Sequence, residues 1–141
     1  TSDHGWDIPK NMDTLCTITS QLHKIGARVA LFVDDDPAMA EPAKATGTDR
    51  VELYTGPYHF AFAKGQGSEA LKSFKATAEA MRSTGLELNA GHDLNLENLP
   101  KFLSTIPFIE EVSIGHALTV DALNMGMDAA VRSYVSILKV A

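Results

Sequence analysis

Glu52, His92 and the pair Gly115-His116 are the residues whose types and places in this chain could do chemistry. Glu52 lies within Val51-Glu52-Leu53, so strand alternation sends its carboxylate to the face opposite both apolar neighbours. Aimed into the lumen of a barrel, that carboxylate would meet little water and suit proton transfer. On an edge strand it would simply sit in solvent. His92 directly follows Gly91 after an apolar run, where an imidazole can give or take a proton near neutral pH. The plainer alternative is a loop histidine that caps the strand through backbone hydrogen bonds. Gly115-His116 falls between the last strand and the last helix, and free backbone N–H groups in such a turn hold an anion without any lysine.

Other polar residues have plainer readings. Asp34-Asp35-Asp36 offers hard oxygens that suit magnesium. Standing just before Pro37, the run reads first as a cap that favours the positive end of a helix. His4, His23 and His59 show no ligand spacing with the single Cys16 or with one another, so no zinc site is expected. Lys64-Gly65-Gln66-Gly67 lacks the Lys-Ser/Thr ending of a phosphate-binding loop and reads as a flexible connection. Trp6 and Tyr58 read as packing residues.

These residues need elements to hold them. A helix is expected from Asn11 to Lys24, with Leu15, Ile18, Leu22 and Ile25 at helical spacing and Gly26 beyond its end. Arg28–Val33 reads as a buried strand, Pro37–Thr46 as a helix weakened by Pro42, and Arg50–Tyr54 as the second strand. A long loop from Thr55 to Gln66 follows, then a helix from Ser68 to Thr84 and a strand from Leu86 to Asn89. A short helix near Leu96–Ser104, a strand from Glu110 to Ile114 and a last helix from Thr119 to Val140 complete the order. One helix between each pair of strands is the pattern of a parallel sheet with crossover helices. Two architectures fit it: a small open doubly wound sheet, or four consecutive units of a barrel. In both, chemistry belongs at the C-terminal ends of the strands. Every expected strand ends in unusual polar residues, namely Asp34, Tyr54-Thr55-Gly56, Asn89-Ala90-Gly91-His92 and Ser113-Ile114-Gly115-His116.

Composition bounds the possibilities. With 141 residues, 45% hydrophobic and 21% charged, the chain is one globular domain or a piece of one, and disorder is not expected. A complete eight-fold barrel typically needs about 250 residues. Twelve Lys plus Arg against eighteen Asp plus Glu leave a net charge of −6, which argues against a nucleic-acid partner. No apolar run is long enough for a membrane helix. A lone cysteine forms no internal disulfide, in keeping with a reducing cytoplasm. The opening Thr-Ser-Asp-His-Gly-Trp-Asp carries neither Met nor a signal-peptide pattern, and reads as a tag scar or a cut within a longer protein.

Val29–Pro37 resembles the first strand of a response-regulator receiver domain, a phosphorylated signalling module. A receiver needs an Asp ending its third strand and a Lys ending its fifth, whereas here the third strand ends in Asn89 and no fifth is evident. The broader resemblance is to the pyridoxine 5′-phosphate synthases, the ring-closing enzymes of vitamin B6 synthesis. It rests on Val29–Asp34, Val51–Gly56, Leu88–His92 and Val112–Ala117, whose order and spacing agree with that family. The resemblance implies an α/β fold of four consecutive βα units, preceded by a helix, forming the C-terminal half of a TIM (β/α)8 barrel. Residues 11–141 would be that half-barrel, strands five to eight, and residues 1–10 a remnant of the lid loop after strand four.

The implied reaction condenses 1-deoxy-D-xylulose 5-phosphate with 3-amino-2-oxopropyl phosphate to pyridoxine 5′-phosphate, phosphate and water. It implies no cofactor and no metal, with small phosphorylated substrates and inorganic phosphate as partners. A cytoplasmic homo-oligomer, not bound to membrane or nucleic acid, goes with it. Another phosphate-binding TIM-barrel enzyme is the alternative. By position, His92 matches the family's proton donor and Glu52 the carboxylate that stabilises charged intermediates. Asp93, Gly115 and His116 match the phosphate site for the amino-ketone. Asp93 stands where some members carry glycine, and Leu-Thr-Val-Asp follows Ala117 where some carry Gly-Arg. The family's first-strand Asn-x-Asp-His, second-strand His-x-Arg and third-strand catalytic Glu have no counterpart. The chain alone is therefore expected to be inactive and, with open strand edges, to self-associate.

Overall fold

The computed structural model describes residues 3–139. Helix α1 (Ile8–Lys24) starts where the Asp7 carboxylate accepts the Lys10 amide at 3.3 Å, with Pro9 in its first turn. The cap and the proline open the helix ahead of Asn11, where the apolar spacing alone would start it. Strand β1 (Ala30–Val33) follows. Asp36 then caps a single 3-10 turn (Pro37–Met39) by accepting the Ala38 amide at 2.9 Å. That is the capping role read from the acidic run, but its two neighbours are used differently. Asp34 accepts the Gly5 amide at 2.7 Å, and Asp35 accepts the Thr77 hydroxyl at 2.7 Å. Helix α2 (Ala40–Ala45) tolerates Pro42 because it falls in the first turn, where an amide has no helical partner to lose.

After β2 (Arg50–Tyr54), the segment expected as a long loop forms helix α3 (Gly56–Ala63). Pro57 sits in its first turn, where its ring pre-sets the helical φ. The glycines that suggested a loop lie at or beyond the helix ends. Tyr58 anchors α3 in the core, its ring 5.3 Å from that of Phe102 and 5.8 Å from that of Phe62. Helix α4 (Gly67–Ser83), strand β3 (Glu87–Gly91), helix α5 (Leu99–Thr105) and strand β4 (Glu111–Ser113) complete the alternation. The expected single last helix is two: α6 (His116–Met125) and α7 (Met127–Leu138) meet at Gly126, whose φ of 90° and ψ of 146° suit only glycine. Val140, the expected end of that helix, and Thr1 and Ser2 of the opening segment lie outside the described residues.

The strands form one parallel sheet in the order β1-β2-β3-β4. Phe32, Glu52, Asn89 and Glu111 share one row across it, and Tyr54, Gly91 and Ser113 the next. Leu31, Val33, Val51, Leu53, Leu88 and Ala90 lie on one face, buried with Leu71, Phe74 and Met81 of α4 and Phe102 of α5. Full burial of each large apolar side chain is worth about 1.5–3 kcal/mol, so this face supplies most of the cohesion. The opposite face is polar, and Glu52 and Arg50 are half-buried there while Glu111 and Ser113 are exposed. Arg50 knits it together, donating to Asn89 Oδ1 at 3.1 Å, Glu111 Oε2 at 2.9 Å and Glu87 Oε2 at 2.6 Å. Hydrogen bonds from Arg50 and Arg28 hold the Glu87 carboxyl below its usual range. Among the described residues, no helix is long and apolar enough to cross a membrane.

Candidate active site

Glu52 sits at the middle of β2, an interior strand, so the edge-strand alternative does not hold. Its side chain reaches across β3 toward β4, where Oε2 accepts the Ser113 hydroxyl at 3.2 Å. Gly91 makes this crossing possible. A Cβ built there would lie 2.3 Å from Glu52 Oε1, closer than any real side chain approaches.

His92 follows at the end of β3 with φ 73°, and Asp93 continues with φ 56°. Two successive non-glycine residues in the left-handed region are uncommon and need holding. The buried Thr55 supplies one hold: its hydroxyl donates to the Gly91 carbonyl at 2.6 Å and also contacts the His92 carbonyl. The buried Asn98 supplies another, donating to the Asp93 carbonyl at 3.0 Å. The imidazole itself packs against Phe32 and Tyr54, with ring centroids 5.0 and 5.5 Å away. Among the described residues its ring nitrogens make no hydrogen bond. Burial, then the charges of Asp93, Asp3 and Asp34, push the Tyr54 phenol above its ordinary pKa.

Gly115 precedes α6 as its N-cap, and no side chain caps the helix. Its carbonyl accepts the Thr119 amide at 3.1 Å, while His116 opens the first turn and is exposed. The first-turn amides and the positive end of α6 therefore face outward, a setting that favours an anion. A cavity of about 320 Å³ joins these parts, lined by Glu52, His92, Asp93, Ser113, Ile114, Gly115 and His116. A carboxylate at the middle of β2, an imidazole at the end of β3 and an open helix N-terminus beyond β4 can move protons beside a bound anion. Among the described residues, no group of three His, Cys, Asp or Glu side chains gathers to hold a metal.

The family described as pyridoxal phosphate biosynthesis protein PdxJ matches residues 1–140. The chain belongs to the PdxJ family. It is 49% identical over 135 residues to the pyridoxine 5′-phosphate synthase of Albidiferax ferrireducens, covering 96% of this chain and 54% of that protein. The corresponding enzyme of Porphyromonas gingivalis is 47% identical over 134 residues, covering 95% of this chain and 56% of its own. That of Xanthomonas axonopodis pv. citri is 47% identical over 139 residues, covering 99% and 54%. The chain thus spans about half the length of the curated relatives it matches.

In this PdxJ-family chain, Glu52, His92, Asp93, Gly115 and His116 all line the one cavity. Sequence reasoning named Ser113 only among the polar strand ends, without a role, and did not single out Phe32 or Asn98 for the site. Ser113 shares a sheet face with Glu52, so strand parity could have flagged it. Nothing local marks Asn98, which also accepts the Asn95 amide at 2.9 Å and takes the Tyr58 hydroxyl on its carbonyl at 2.8 Å. A second cavity, of about 1000 Å³, lies beside β1 between Gly5-Trp6 and Asp34. It touches none of the five residues.

Proposed function

We propose that this chain supplies strands five to eight of a TIM (β/α)8 barrel and with them one half of a pyridoxine 5′-phosphate synthase active site. In this reading residues 11–141 are the half-barrel, and residues 1–10 end the lid loop after strand four. The one-sided sheet supports a barrel, since a doubly wound sheet needs apolar cover on both faces and here one face carries Arg50, Glu52 and Glu111. The observation that carries the functional reading is the cavity that joins Glu52 and His92 to the uncapped start of α6.

The reaction condenses 1-deoxy-D-xylulose 5-phosphate with 3-amino-2-oxopropyl phosphate, releasing phosphate and water as the pyridine ring closes. Amine addition, dehydration and ring closure each move protons, which His92 gives and takes. Glu52, held by Ser113, faces the positive charge that develops on the reacting nitrogen. The amides of Asp93, Gly115 and His116 hold the phosphate of the amino-ketone with the help of the α6 dipole. Every step is an addition, an elimination or a proton transfer, so the reading calls on no metal and no cofactor. Its partners are small phosphorylated substrates, inorganic phosphate and further copies of the chain. Its setting is the cytoplasm.

The test uses protein of full family length. His92→Asn and Glu52→Gln should each lower kcat for pyridoxine 5′-phosphate formation by at least about 100-fold. Wild-type turnover by His92→Asn would refute the reading.

A further inference from the structure

We propose that Thr55 is the positioning residue for His92, its hydroxyl locking the Gly91-His92 backbone so that the imidazole stands at the cavity. This rests on the reading of His92 as the proton donor. The conformation to be held is unfavourable, since His92 and Asp93 both adopt positive φ without being glycine. Thr55 is fully buried at the end of the neighbouring strand and meets that turn with two donors. Its amide donates to the Gly91 carbonyl at 2.9 Å, and its hydroxyl donates to the same oxygen at 2.6 Å while touching the His92 carbonyl. With both carbonyl oxygens gripped, the peptide between Gly91 and His92 cannot rotate. Phe32 and Tyr54 then fix the plane of the ring, one on β1 and the other just before Thr55 on β2. The loop beyond is anchored separately, by Asn98 on the Asp93 carbonyl. Thr55 thus controls the approach to His92 without reaching the cavity lining itself.

A threonine that only stabilised the fold would change melting and leave the chemistry alone, and that difference sets the experiment. In protein of full family length, Thr55→Val keeps the shape and removes the hydroxyl, whereas Thr55→Ser keeps the hydroxyl. Steady-state kinetics well below the melting temperature and the NMR ring signals of His92 in labelled protein at one fixed pH are read on each. Thr55→Val should lower kcat by about tenfold or more while KM stays within about twofold, and should shift the His92 ring signals. Thr55→Ser should restore both. Unshifted His92 signals in Thr55→Val, wild-type kcat there while His92→Asn is impaired, or a Thr55→Ser protein as impaired as Thr55→Val would overturn the proposal. If Thr55→Val does not fold, Thr55→Ser decides: wild-type kcat and ring signals uphold the hydroxyl's role, and loss of either overturns it. His92→Asn with full turnover would remove the chemical role of His92, and the His92 ring signals alone then decide the positioning.

Discussion

Gly91 is the residue on which the geometry of Glu52 turns. A Cβ there would stand 2.3 Å from Glu52 Oε1 and 3.2 Å from Ser113 Cβ, so alanine fits only if the carboxylate swings away. The end of a glutamate side chain moves cheaply, and the backbone at Gly91 has no positive φ to lose. The expected outcome for Gly91→Ala is therefore a folded protein with a displaced Glu52. Misplacement of about 1 Å can cost 100-fold in rate, and kcat is expected to fall by about that factor while the thermal midpoint hardly moves. Kinetics in protein of full family length, set beside a melting curve, checks this. Unchanged kcat would mean that Glu52 does not act from this position. Reading the sequence was enough to select Glu52, because its neighbours Val51 and Leu53 announce the face it occupies. The need for glycine at 91 was not legible, because nothing near it in the chain says that a carboxylate passes over it.

Helix α3 and the break between α6 and α7 depart from the sequence reading, and each has a measurable consequence. Helix α3 was hidden by Gly56, Gly65 and Gly67, although Tyr58 ties it to the loop before α5 through the 2.8 Å hydrogen bond to the Asn98 carbonyl. Burial pushes the Tyr58 phenol up to about 12. A pKa raised in the folded state favours the protonated phenol. The stability it lends is fully present below about pH 10, the unfolded value, and is lost as pH climbs through the folded one. Tyr58→Phe should cost about 1 kcal/mol at neutral pH by removing one of the two hydrogen bonds on the Asn98 carbonyl, which keeps the Phe102 amide at 3.2 Å, and should flatten the alkaline loss. Urea unfolding at neutral and alkaline pH distinguishes the two effects. The second departure is the break at Gly126, where φ is 90° and ψ 146°. Gly126→Ala should destabilise the protein by about 1–3 kcal/mol, read from the urea midpoint, because an L side chain is strained in that conformation. No loss of stability would indicate that α6 and α7 can run on as one helix.

At the scale of the molecule, β1 and β4 lie at the two edges of the sheet, and a polar face stands between them. Val120 and Leu123 of α6 and Val131, Val135 and Leu138 of α7 are exposed as well. Among the described residues β4 has a strand on one side only, while the Trp6 amide donates to Phe32 on the β1 edge at 2.9 Å; the open β4 edge and the exposed apolar side chains both favour association. The 141-residue chain by itself should scatter light as an oligomer at micromolar concentration, and a stable monomer would count against this. It should also form no detectable pyridoxine 5′-phosphate, since the acid–base groups that the proposed barrel needs from its earlier strands are not in this sequence. Turnover by the isolated chain would overturn that expectation.

The alternation of strands and helices, the polar strand ends and the face to which Glu52 belongs are legible in the chain alone. These follow from short periodicities and from local signals such as the acidic run before Pro37, where Asp36 caps, which act within a few residues of chain. It takes the packed fold to bring Glu52 across Gly91 to Ser113, Thr55 onto the turn at His92, and Asn98 to the far side of that turn. Those contacts join residues 61, 36 and 5 positions apart, and the first two depend on the register of parallel strands. Each strand's own pattern says which face is buried, but which residue of one strand lies beside which of the next is settled only when the buried faces pack together.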